Sequence, residues 1–117
     1  MPIQTLVEFQ QTFAPKPVQC EVTVGKDAIT VFLKPLTSVQ RDAFEASVVG
    51  QEGKGRNLEN LRARLVADCL VNADGKRVGS AKELGELDAQ LIGALFDKVR
   101  ELNGMAGEES IVEAGKD

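Results

Sequence analysis

Cys20 and Cys69 are the only thiols in this sequence, and they stand far apart in a chain with no histidine and no tyrosine. A zinc site needs several Cys, His or carboxylate ligands at close spacing, and a thiolate nucleophile needs a base beside it. Neither arrangement can be assembled here, so both cysteines are read as small apolar core residues rather than as redox groups. The carboxylates fall mainly at expected helix starts and on wet faces, where capping and solvation account for them without acid–base chemistry. Gly53-Lys54-Gly55 lacks the Walker spacing and the hydroxyl residue of a phosphate cradle. Asn72, Asp74 and Gly75 lack the third acidic ligand and the bidentate glutamate of a calcium loop. The residues therefore predict no enzyme, no cofactor and no metal, and point to a protein that acts by binding other proteins.

Bulk properties narrow the partners. A length of 117 residues is one domain, enough to bury about two-thirds of the surface its unfolded chain exposes. With 43% hydrophobic residues but no apolar run near the roughly 18 to 20 residues of a bilayer span, no membrane segment is expected. Met1-Pro2-Ile3-Gln4 has neither the basic flank nor the apolar run of an export signal, so an intracellular protein is expected, and a disulfide is not. A net charge of −4, from 18 acidic against 14 basic residues, argues against nucleic acid as a partner.

The elements that must carry any binding surface can be placed by period. Leu6, Phe9 and Phe13 recur at i, i+3 and i+7, which predicts a short amphipathic helix over 5–13 that stops before Pro15. This arm, residues 1–17, is expected to fold back on its own domain; docking of Phe9 and Phe13 on another protein is the alternative. From Val18 the period becomes two. Val18, Cys20, Val22 and Val24 predict one strand, Gly25 to Ala28 a turn, and Ile29, Val31 and Leu33 a second strand, with Phe32 on the opposite face. Pro35 ends the ladder, and Thr37 with Gln40 forms a capping box for a helix from Ser38 to about Gly50, its apolar face assigned to Val39, Ala43 and Ala46 with Phe44 and Val48 beside them.

A mobile loop is expected over 51–57, and then a central helix capped by Asn57 and running from Leu58 to about Val71. Asp74-Gly75 suits a small hairpin between Val71 and Val78. Ser80 with Glu83 is a second capping box, opening a short helix that Gly85 interrupts. Asp88 caps the last helix, whose stripe of Leu91, Ile92, Leu95, Phe96, Val99 and Leu102 ends at Asn103-Gly104, a left-handed stop. The predicted fold class is α+β: an N-terminal β-hairpin packed on a bundle of about three to four helices. The compact domain is expected over 18–104, followed by an acidic, mobile tail over 105–117.

Three segments in this order resemble the tail assembly chaperones of long-tailed bacteriophages and prophages. They are Val31 to Thr37 leading to Arg41 and Phe44; Leu65 to Val71 with Asp74-Gly75-Lys76-Arg77; and Leu91 to Gly104. The resemblance implies a protein of the host cytoplasm that binds the tape measure protein during tail morphogenesis and is absent from the mature virion. It also implies a longer form made by programmed frameshift, which recruits the tail tube protein; Ala114-Gly115-Lys116 is compatible with a slippery codon run. On this resemblance Phe9, Phe13, Phe32 and Phe96 are the candidate partner-binding residues, bound to helical segments in the helix-in-groove manner. Self-association into a ring or dimer is a further expectation. The competing expectation is a structural tail or baseplate subunit, or a cellular adaptor.

Overall fold

The computed structural model describes residues 2–49 and 58–105. It is an α+β fold of one three-stranded antiparallel sheet, in the order β1-β2-β3, and five helices. The predicted 51–57 loop, the Asn57 cap and the tail from 106 onward lie outside the described residues.

Helix α1 spans Leu6–Phe13 and starts with a capping box. Glu8 N–H donates to Thr5 Oγ1 at 3.2 Å while Thr5 N–H donates to Glu8 Oε1 at 3.0 Å. No residue of α1 is buried, which corrects the expectation that the arm folds back on its own domain. Ala14 leaves the helix in an extended conformation, and Pro15 and Pro17 cannot continue it.

β1 (Val18–Val24) and β2 (Asp27–Leu33) pair in the register Cys20↔Val31 and Val22↔Ile29, so their alternate residues share the core face. The turn is tighter than predicted. Gly25 and Lys26 alone form it, Gly25 taking φ +61°, a conformation that a residue without Cβ adopts at no steric cost.

α2 (Ser38–Val49) begins at the predicted capping box, Gln40 N–H donating to Thr37 Oγ1 at 3.2 Å. Of its expected apolar face Phe44 and Val48 are buried, whereas Val39 is 78% exposed and Ala43 and Ala46 are exposed too, so that part of the face is corrected. The larger side chains at i and i+4 take the core side, because they remove more apolar surface from water.

α3 (Leu61–Cys69) is the central helix and buries Ala63, Leu65, Val66, Ala67 and Cys69. It is shorter than predicted at both ends. Asn60 takes its N-terminal position with φ +51°, and the Asn60 amide donates to Ala81 O at 2.9 Å. At the other end Leu70–Val71 leaves the helix as β3, pairing Leu33↔Leu70 and Phe32↔Val71. Lys34 N–H meets Cys69 O at 2.8 Å, so a ladder to a distant strand satisfies backbone groups that a longer helix would have paired locally. The predicted small hairpin follows. Val71 bridges Arg77, Asn72 N–H donates to Lys76 O at 2.8 Å, and Arg77 Nη2 lies 2.6 Å from Asp68 Oδ1, fastening the turn to α3.

α4 (Ala81–Gly85) and α5 (Ala89–Leu102) start at the predicted residues. Ser80 with Glu83 forms a capping box, and Asp88 Oδ1 accepts from Gln90 N–H at 2.8 Å and Leu91 N–H at 3.2 Å. α5 ends in a Schellman motif: Met105 N–H donates to Arg100 O at 2.8 Å and Gly104 N–H to Glu101 O at 3.2 Å, with Gly104 at φ +68°. Met105, one residue past the expected limit of the compact domain, is only 1% exposed and joins the core with Leu33, Leu65, Val66 and Val99.

Candidate functional site

Among the described residues two apolar surfaces stand open. The first is α1, where Leu6 is 71%, Phe9 48% and Phe13 68% exposed on a completed helix. An isolated helix shorter than about 12 residues is marginal in water, and α1 is capped but holds no buried residue. The hydrogen bonds that cap it, first from the Gln4 backbone and then from the Thr5 side chain, lower the pKa of Glu8.

The second surface is an open groove of about 1270 Å³ running along α5 and walled by the start of α3 and the residues before it. Its apolar lining includes Leu58, Leu61, Leu87, Ile92, Phe96 and Met105. Leu58 and Leu87 are about half exposed, while Phe96 is 5% exposed. Two guanidiniums approach the Phe96 ring: Arg62 Cζ lies 5.6 Å and Arg100 Cζ 5.3 Å from its centroid, both within cation–π range. Arg100 Nη1 is 3.6 Å from Asp97 Oδ1, and the buried Nε of Arg100 has no hydrogen-bond partner among the described residues. Arg62 has no ion pair among the described residues. Gly93 also lines the groove, and among the described residues a Cβ added there would meet nothing within 4 Å.

The candidate residues fall on three elements. Phe9 and Phe13 share the exposed α1, Phe96 lies in the groove beneath its two arginines, and Phe32 is half-buried on β2 between Gln19 and Val71. Sequence reasoning missed the groove itself, together with Arg62, Arg100 and Gly93. The one local signal was Gly93 inside a strongly periodic helix, where a glycine lowers helix stability and so asks for a reason.

A polar cluster lies where α5 meets the sheet. Asn103 Oδ1 accepts from Leu36 N–H at 2.8 Å, Asn103 Nδ2 donates to Val99 O at 2.8 Å and approaches Cys69 Sγ at 3.8 Å, and Arg41 Nη1 donates to Asn103 O at 3.4 Å. Burial pushes the Cys69 thiol from its usual 9.0 up to about 11, against the contact with Asn103. Cys20 and Cys69 are both free and buried, in keeping with their reading as core residues. Asp68 is also raised: burial outweighs its short ion pair with Arg77.

Among the described residues no group of three or more His, Cys, Asp and Glu is placed to hold a metal, and no helix is long and apolar enough to cross a membrane. What the described surfaces offer is apolar recognition with a cationic edge. No protein-family model matches the chain, and neither a curated protein nor a solved structure does.

Proposed function

We propose that this protein is a tail assembly chaperone of a long-tailed phage or prophage. In this reading it is not an enzyme and takes no cofactor. It holds apolar helical segments of the tape measure protein in solution in the host cytoplasm, and it leaves before the virion is complete. A longer, frameshifted form brings the tail tube protein to the same complex.

The observation that carries this reading is α1, a completed amphipathic helix whose every apolar residue is exposed, on a domain that also holds an open apolar groove. A folded domain that spends apolar surface in this way has a protein partner to cover it. Helix-in-groove docking needs apolar anchors at i, i+3 and i+7, the spacing of Leu6, Phe9 and Phe13. The resemblance of Val31 to Thr37, Leu65 to Val71 and Leu91 to Gly104 to the chaperone family names the partner.

Co-expression with the tape measure protein tests the reading. The tape measure is expected to stay soluble and to co-purify with this chain. Equal solubility without the chain, and no complex, would refute it. Purified virions separate it from a structural tail or baseplate subunit, which would be present there in fixed copy number.

A further inference from the structure

We propose that Asn103-Gly104 is a deamidation site that the closing turn of α5 holds shut, and that its conversion permanently marks a chain in which that turn has opened. Glycine after asparagine leaves the attacking nitrogen without a side chain beside it. In the reaction the Gly104 amide nitrogen gives its proton to hydroxide and bonds to Asn103 Cγ. The Cγ–Nδ2 bond breaks, and ammonia leaves with a proton drawn back from water. Water then opens the five-membered imide, at Cγ to give aspartate or at the Asn103 backbone carbonyl to give isoaspartate. Only water is consumed.

Gly104 is exposed, so water and hydroxide reach it. Geometry rather than access keeps the site shut. Ring closure needs the Gly104 nitrogen to eclipse Asn103 Cβ across the Cα–C bond, whereas Asn103 has ψ +7°, at which the Gly104 nitrogen eclipses the Asn103 nitrogen instead. Turning that bond displaces the chain beyond it. The rotation breaks the hydrogen bonds from Gly104 N–H to Glu101 O at 3.2 Å and from Met105 N–H to Arg100 O at 2.8 Å, and it draws Met105, 1% exposed, out of the core. The side chain is held as well. Asn103 Oδ1 accepts from Leu36 N–H and Nδ2 donates to Val99 O, each at 2.8 Å. What stands between the folded chain and the reaction is therefore a local opening, not global unfolding.

The product cannot return. Aspartate has no Nδ2 donor, so a carboxylate oxygen faces Val99 O across the 2.8 Å that the hydrogen bond spanned. Isoaspartate also adds a methylene to the main chain between the helix cap and Met105, which puts both closing bonds out of register. One opening long enough for the chemistry leaves a last turn that no longer closes as before. No phage protein takes part, so the test stands apart from the tape measure reading.

The experiment incubates the full chain at mildly alkaline pH and follows conversion of Asn103 by peptide mass spectrometry, with isoaspartate separated from aspartate by chromatography. The folded chain, the chain in denaturing urea and a Met105→Ala variant are compared, circular dichroism reporting the fold of each. The folded chain is expected to convert at least about tenfold more slowly than the urea-unfolded one. Met105→Ala, which weakens the core anchor beyond the site, is expected to convert faster than the unaltered chain while still folded. Should Met105→Ala not fold, urea below the unfolding midpoint opens the same turn in the unaltered chain, and the rate is expected to rise before circular dichroism changes. Asn103→Asp, which carries the aspartate product, is expected to melt a few degrees below the unaltered chain. Equal rates in folded and unfolded chains, a folded Met105→Ala that converts no faster, a rate that rises only with global unfolding, or an unshifted Asn103→Asp melt would each overturn the proposal.

Discussion

Asn103 Oδ1 accepts the Leu36 N–H at 2.8 Å, joining the end of α5 to the segment between β2 and α2 across 67 residues of sequence. The same side chain holds Val99 O and approaches Cys69 Sγ, so one amide links the last helix, the sheet exit and the central helix. Asn103→Ala removes the acceptor and leaves a partly buried N–H unpaired. The expected loss is about 1–3 kcal/mol of folding free energy, read from urea denaturation. A loss below about 0.5 kcal/mol, the range of an ordinary surface substitution, would show that Asn103 is not such a link.

The Cys69 thiol gives a pH signature. Its pKa is raised on folding from 9.0 to about 11 by burial, so the folded chain holds a proton that the unfolded chain releases. The stability tied to that proton is complete below pH 9 and is lost as pH rises towards about 11. Urea melts of the unaltered chain should therefore lose stability faster over that interval than those of Cys69→Ala. Parallel pH profiles for the two chains would count against a buried neutral thiol. In the native state Cys69 should also resist aromatic disulfide reagents at pH 8, reacting only after denaturation.

Two helical glycines should respond to alanine with opposite signs. At Gly93 a Cβ meets nothing within 4 Å among the described residues, so Gly93→Ala is expected to stabilise the chain by about 0.5–1 kcal/mol. At Gly85 a Cβ would stand 2.7 Å from Asn60 Oδ1, displacing the amide that donates to Ala81 O. Gly85→Ala is therefore expected to forfeit that bond, at about 0.5–1.5 kcal/mol, which offsets or exceeds its helix-propensity gain. Thermal melts of both variants check the ordering, and a larger gain at Gly85 than at Gly93 would contradict it.

Phe9→Ser with Phe13→Ser separates binding from folding. Both side chains are exposed, so the thermal midpoint should match that of the unaltered chain, with a stability change within about 0.5 kcal/mol. Recovery of tape measure protein in the co-expression experiment should fall at the same time. Undiminished recovery would remove α1 from the binding surface.

What the sequence made legible was local chemistry. Thr37 with Gln40, Ser80 with Glu83, and Asp88 each mark a helix start through a side chain that reaches its own backbone, and all three do so in the fold. The alternation from Val18 to Leu33 likewise gave the hairpin and its core face. Leu70 and Val71 were not legible, because they continue the apolar run of α3 and only the ladder to Phe32 and Leu33 turns them into a strand. Asn60 was hidden for the same reason: its left-handed backbone is held by Ala81, a partner 21 residues away. The groove depends on α3 crossing α5, and the pairing of Arg62 with Phe96 has no trace in local spacing. The chemistry of the phenylalanines could be named in advance, but their sorting into exposed, half-buried and floor positions is a product of tertiary packing.

The Pro15-Lys16-Pro17 segment has a consequence beyond keeping α1 apart from the sheet. Because no residue of α1 is buried, the effects on folding of substitutions there and of substitutions in the core should add. Drift in the arm is then invisible to selection on the fold. A lineage of such proteins can change what its arm recognises, one residue at a time, while the domain that displays it stays as it is.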